Sequence, residues 1–490
     1  MTFTRILTEF GRTICFENIR APVITATRRL LLDTIGCAVA GYDLPSSRII
    51  TRVKGAQGGM PQATVFVGGQ RLPSASVAYI NSHLSNAIDA DDTLNYKAHI
   101  AASTVAPALA VAEQVGASGR DVLAAIAAGY EVAGRVAMSL RGLVIDESGN
   151  LCFAQTTGYS YCAFASAVCA GRLLDLNSEE MLNAFGIAAA TLPVPSATKF
   201  GLELPRPMTK YAMYGTIGEV GVTAALLAKE GFTGERSVLD GDKGFWRVAG
   251  SLDCNWDILI ERLGERWLIE EVSYKPYPAC RFLNAAIDMF YDLCRQHSLG
   301  VEEIERVELG IHGAALSRNM GNSSVESLVD TCFSAPYLLA AAALAGPPGP
   351  QWHTFEALGN EKMRAFASRV SVGLEPSASA AATDDLRTRG HCARMPSSIR
   401  IYARGEVYQA QSQYAKGDTF VRETVLTDKE LEDKFRNFCV AQLGEAQTES
   451  AIEIVRFFEH ESSVARLINH LVATSPSAHM SSHEHRYSRD

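Results

Sequence analysis

The chain has 490 residues, room for about three domains at roughly 150 residues each and for a core that needs no disulfide or metal staple. Lys plus Arg number 45 and Asp plus Glu 54, a net charge of −9, which argues against nucleic acid or an anionic membrane as partner. A small anionic substrate remains compatible, because a site needs only local positive charge.

Charges at Arg5, Glu9, Arg12, Glu17 and Arg20 leave no apolar stretch for a signal peptide. The longest charge-free run, Ser148 to Gly171, carries Asn150, Gln155, Thr156, Thr157, Ser160 and Ser166, too polar for a helix facing lipid. The eleven Cys lack CxxC or CxxH spacing and read as buried small hydrophobes in a reducing compartment. A cytoplasmic protein without a metal or cofactor is expected.

In chain order, Ala21 to Gly41 opens with an early Pro and closes on Gly, the favoured asymmetry of a helix. Ser118 with Asp121 three residues on is an N-cap signal, followed by an apolar stripe at helical spacing from Val122 to Leu140. Thirteen of the forty residues from 101 to 140 are Ala, which suits helices packed closely inside a bundle. Met181 to Ala190 and Gly215 to Lys229 read alike.

After about residue 270 the period changes. Val307, Leu309 and Ile311 alternate with polar residues or Gly, and Ile399, Ile401 and Ala403 alternate with Arg400, Tyr402 and Arg404. These are strand patterns, the second leading through Gly405 into a hairpin. Phe333 to Ala345 reads as a helix stopped by Gly346-Pro347-Pro348. Thr427 to Glu430 forms a capping box, with Leu426 and Leu431 placed for a hydrophobic staple. The expected fold class is mainly α. A large all-helical domain over 1–270 resumes at 421–473 around a smaller α+β lid domain at 271–420, with a disordered tail at 474–490.

The densest polar constellation is Asn86 to Thr93, with Asp89, Asp91 and Asp92 in four residues and His99 close behind. Like charges this close raise each other's pKa when buried, which suits acid–base work; a solvated acidic turn is the bland alternative. A divalent metal is disfavoured because EF-hand spacing is absent. Lys210, before an apolar helix, and Lys275, at the expected domain junction, are candidates to hold carboxylates in an interdomain cleft. Two exposed lysines are the bland alternative there. Arg281 could hold a carboxylate bidentately. His479, His483 and His485 fall in the tail and are set aside.

On these residues the chain resembles the MmgE/PrpD family of 2-methylcitrate dehydratases, cis-aconitate decarboxylases and an iminodisuccinate epimerase. Leu32 to Gly36, Asp89 to Thr93 with His99, Gly129 to Val132, Met208 to Lys210, Lys275 to Pro278, Phe333 to Tyr337 and Glu432 to Phe435 carry the likeness in family order. The resemblance implies a helical domain with an α+β lid, usually a homodimer, and a cofactor-independent cleft site matched by Asp89, Thr93, His99, Lys210 and Lys275. Departures from the family pattern fall at Gln155 and Thr156, at Met213, at Asn284 and at Ile100 after His99.

Such a site moves a proton at carbon alpha to a carboxylate. The expectation is a lyase, dehydratase or decarboxylase, acting on a small di- or tricarboxylate. Asp89 and His99 form its acid–base pair, Lys210 and Lys275 stabilise developing charge, and Thr93 and Arg281 help bind substrate. The alternatives are an epimerase or isomerase of a dicarboxylate, or a non-catalytic carboxylate-binding protein on the same fold.

Overall fold

The computed structural model describes residues 2–153, 159–192 and 203–474 and is mainly helical. Gln155 and Thr156, and the tail from 475 on, lie outside the described residues.

The Ala21–Gly41 helix forms as its Pro and Gly foretell, and Ser118 closes a capping box with Asp121 at the head of Gly119–Ser139. That second helix is long and apolar enough to cross a bilayer, yet every turn of it is buried within the protein. At the centre stands Thr209–Lys229, packed on Ser74–Asn86, Ala163–Leu173 and Ser178–Thr191. It begins earlier than its apolar pattern, so Lys210 lies inside its first turn rather than before it.

Two glycines let this helix pass between its neighbours. A side-chain carbon at Gly218 would fall 3.0 Å from the Ala78 carbonyl, and one at Gly221 would fall 2.5 Å from the Ala167 amide. Ser166 Oγ donates to the Gly218 carbonyl across the same contact at 2.6 Å. Close passage fixes the start of the helix, and with it Lys210.

The alternating segments become one four-stranded sheet, in the order Glu406–Ser412, Ser397–Ala403, Ile304–Ile311, Val370–Leu374. Ile304–Ile311 runs parallel to Val370–Leu374 and antiparallel to Ser397–Ala403, with Leu309 opposite Ile399. The hairpin turn holds Arg404 and Gly405 both at positive φ, 56° and 74°, as a two-residue turn matched to strand twist requires.

Buried apolar residues fall into two cores. One runs from Leu7 to Tyr274 and resumes from Leu426 to Leu471; the other is built mostly from Tyr277 to Ala403. The last helices return to the first core because Asp428–Leu443 packs on Ala21–Gly41. Tyr274 belongs to one core and Tyr277 to the other, so Lys275 sits where the two meet.

Candidate active site

The helix Ser74–Asn86 ends at the start of the acidic segment, and the chain turns through Asp89, a non-glycine residue at φ 53°. Backbone held in this region costs on the order of 1 kcal/mol and persists only where surrounding contacts demand it. Here the contacts are visible. Thr93 pairs antiparallel with Ser273 in a two-residue ladder, which brings the acidic loop alongside Lys275.

All three carboxylates are buried, so the loop is no solvated turn. Lys275 Nζ donates to Asp89 Oδ1 at 2.5 Å and to the Asp89 carbonyl at 2.9 Å, and lies 3.5 Å from Asp91 Oδ1. Three acceptors use all three of its N–H bonds. Lys210 Nζ stands 3.9 Å from Asp89 Oδ2 and over the Tyr211 and Phe333 rings. It makes no side-chain hydrogen bond among the described residues.

Burial raises the Asp89 carboxyl, but Lys275 and then Lys210 outweigh it and hold the group well below the usual carboxylate range. Desolvation lowers Lys210, while Lys275 is raised because Asp89 and Asp91 overcome its burial. Asp91 takes both its oxygens to Asn86 Nδ2, at 2.9 and 2.8 Å. Asp92 accepts from Tyr130 OH at 2.8 Å and from the amides of Ile100 and Ala101. Burial and the neighbouring Asp91 push Asp92 up to about 7.

His99 Nδ1 lies 2.5 Å from the Asp92 carbonyl oxygen. A carbonyl only accepts, so Nδ1 carries the proton and Nε2 is left with its lone pair. Burial, then the Lys275 charge, pushes the imidazole down to about 4. The ring keeps a partly exposed edge, with its centroid 5.7 Å from that of Tyr159. The arrangement is a neutral base beside a fixed ammonium and a locked carboxylate. Asp91, Asp92 and His99 also present ligand atoms within 4.8 Å of one another, but both carboxylates already serve the donors named above.

The fold therefore brings Asp89, Thr93, His99, Lys210 and Lys275 into one region and gives Arg281 a different task. Arg281 pairs with Asp418 and donates to the Lys416 carbonyl at 2.9 Å and the Tyr274 carbonyl at 3.4 Å. Its guanidinium thereby braces the chain after Lys275. Asn284 supports the same turn, donating to the Cys280 carbonyl at 3.1 Å, and Met213 is buried in the apolar core.

Several neighbours show their part in the site only in the structure. Tyr130 reads as part of an apolar stripe, and its hydroxyl serves Asp92. His353, buried between Thr331 Oγ1 and the Pro278 carbonyl at 2.7 Å each, lines a cleft of about 270 Å³ with Tyr211, Cys332 and Met208. Asn86, five residues before Asp91, opens the polar constellation that the sequence itself marks.

Comparison with known proteins adds a lineage to this geometry. The chain is 26% identical over 311 residues to a cis-aconitate decarboxylase of Aspergillus terreus, covering 60% of each chain. It is 25% identical over 476 residues to the human cis-aconitate decarboxylase, covering 93% of this chain and 91% of that one. The mouse cis-aconitate decarboxylase matches at 25% over 266 residues, 52% of this chain and 51% of its own. The chain thus spans about 60% of the fungal relative's length but nearly all of the human one. The MmgE/PrpD N-terminal domain matches residues 5–254 and the MmgE/PrpD C-terminal domain residues 277–460; the chain belongs to the MmgE/PrpD family.

Proposed function

We propose that the protein is a lyase that transfers a proton at carbon alpha to a carboxylate of a small di- or tricarboxylate, with decarboxylation the favoured reaction. The observation that carries this reading is a neutral His99, its Nδ1 proton spent on the Asp92 carbonyl, and a Lys210 without a hydrogen-bond partner among the described residues, both close enough to act on the Asp89 charge. The relatives named cis-aconitate decarboxylase support carbon–carbon cleavage of a tricarboxylate over dehydration.

The residues divide the work. Lys210 holds a substrate carboxylate or the charge that develops beside it; a charge-assisted hydrogen bond contributes about 1.5–3 kcal/mol. Lys275 keeps Asp89 ionised and oriented, so the Asp89 carboxylate acts through position and charge. His99 exchanges the proton, a role worth about 10²–10⁴-fold when the base is well placed. In decarboxylation the bond to the departing carboxyl carbon breaks, its electron pair stays on carbon alpha, and His99 delivers a proton there. Nε2, neutral in the free protein, first takes that proton up from solvent as the polyanionic substrate binds. Closure of the sheet-bearing part over the helical part would exclude water from this step.

Proton NMR in D2O with cis-aconitate and a panel of citrate-like acids tests the reading. Loss of CO2 with one deuterium at the former carboxyl-bearing carbon is the expected result. Deuterium entering recovered acid, with neither CO2 nor water lost, would replace the lyase with an epimerase. Asp89→Asn and His99→Ala should each cut turnover at least tenfold; full activity in both sinks the assignment.

A further inference from the structure

Most buried polar groups around the site have partners, and the Tyr214 hydroxyl does not. The side chain is wholly buried, and its oxygen makes no hydrogen bond among the described residues. A buried hydroxyl left without a partner costs free energy, and such groups in folded proteins call for an explanation. Its surroundings supply one. Tyr214 follows Lys210 by four residues on the helix Thr209–Lys229, which places the two side chains on one face. Its ring centroid lies 5.8 Å from that of Tyr159, the ring that meets His99. Thr93, on the strand after Asp92, holds a second buried hydroxyl without a partner. Tyr211, next to Lys210, holds a third, but its ring stands on the side of Phe333 and Cys332, away from the Tyr159–His99 pair.

We infer that Tyr214 is a substrate-binding residue, its hydroxyl donating to an oxygen of the acid that Lys210 holds. The inference rests on the carboxylate-lyase reading and makes it more specific. Burial keeps the phenol well above its ordinary pKa, so it is a neutral donor throughout the working range. A neutral donor adds no charge to a site whose lysines and carboxylates already offset one another. It also selects among acids, because one that lacks an oxygen at this point leaves the hydroxyl unpaired and binds worse.

Tyr214→Phe removes that one oxygen and keeps the ring. Without ligand, the variant should melt at or above the wild-type temperature, since it loses only an unpaired group. Any acid of the cis-aconitate and citrate-like panel that stabilises wild type should stabilise the variant less. The KM of a converted acid should rise at least tenfold, with a smaller change in kcat. A lower ligand-free melting temperature with unchanged KM would assign the hydroxyl to structure and overturn the inference. Equal stabilisation of both proteins by the same acid overturns this assignment alone. If no acid of the panel stabilises wild type, the carboxylate reading fails and this assignment with it.

Discussion

At the scale of single residues, His99 is the group whose ionisation decides the chemistry. Its pKa is lowered from the ordinary 6.5 to about 4, so the ring stays neutral, and basic, at every pH above that value. The ring resonance of His99, identified by its loss in His99→Ala, should show no titration step between about pH 5 and 8. A midpoint near the ordinary value would remove the neutral base from the mechanism. The lysines separate by a different measurement. Lys275→Met leaves Asp89 and Asp91 buried without their cation, which should cost about 3–5 kcal/mol in chemical denaturation, and abolish turnover. Lys210→Met leaves Asp89 paired with Lys275 and removes a desolvated charge. Its stability should change little while turnover falls at least tenfold. The opposite ranking of the two stabilities would reverse their assigned roles.

At the scale of elements, one tight passage controls how Lys275 is presented. Gly417 stands at φ 90°, accepts from the Tyr274 amide at 3.1 Å, and has room for no side chain. A carbon added there would lie 1.8 Å from the Tyr274 carbonyl. Gly417→Ala should therefore displace the residue before Lys275, lowering both the melting temperature and turnover. Gly390→Ala is the control, since Gly390 has a similar positive φ and open space around it. It should cost only about 1 kcal/mol and leave kcat unchanged; matching kcat losses in both variants would refute the passage argument. The contrast also explains what the sequence revealed. The capping boxes at Ser118 and Thr427 and the strand periods at Val307 and Ile399 are local signals, and each appears in the structure where its residues stand. The close approach at Gly417 is made by a chain segment far away in sequence, so no pattern near it gives a sign.

At the scale of the whole molecule, the site depends on pairings that no window of sequence contains. Nothing near Arg281 gives a sign of Asp418, the carboxylate it pairs with, which lies 137 positions on. The acidic loop is marked by its density of carboxylates, but what holds it comes from segments far away on either side in the chain. Lys434 Nζ, on Asp428–Leu443, donates to Asp33 Oδ1 at 2.6 Å and to the Ala90 carbonyl at 2.7 Å. Asp33 lies on Ala21–Gly41, and the pair is buried. One ammonium thus joins an early and a late helix to the peptide between Asp89 and Asp91. Removing one member of a buried pair costs about 3–5 kcal/mol, whereas replacing both with apolar residues is often near neutral. Lys434→Met alone should be strongly destabilised, and Asp33→Leu with Lys434→Met should regain most of that stability. The double variant still lacks a donor to Ala90, so its kcat should stay at least tenfold below wild type at temperatures where it is fully folded. Wild-type turnover in a stable double variant would show that the pair serves folding alone, and that Lys275 and Asn86 suffice to hold the acidic loop.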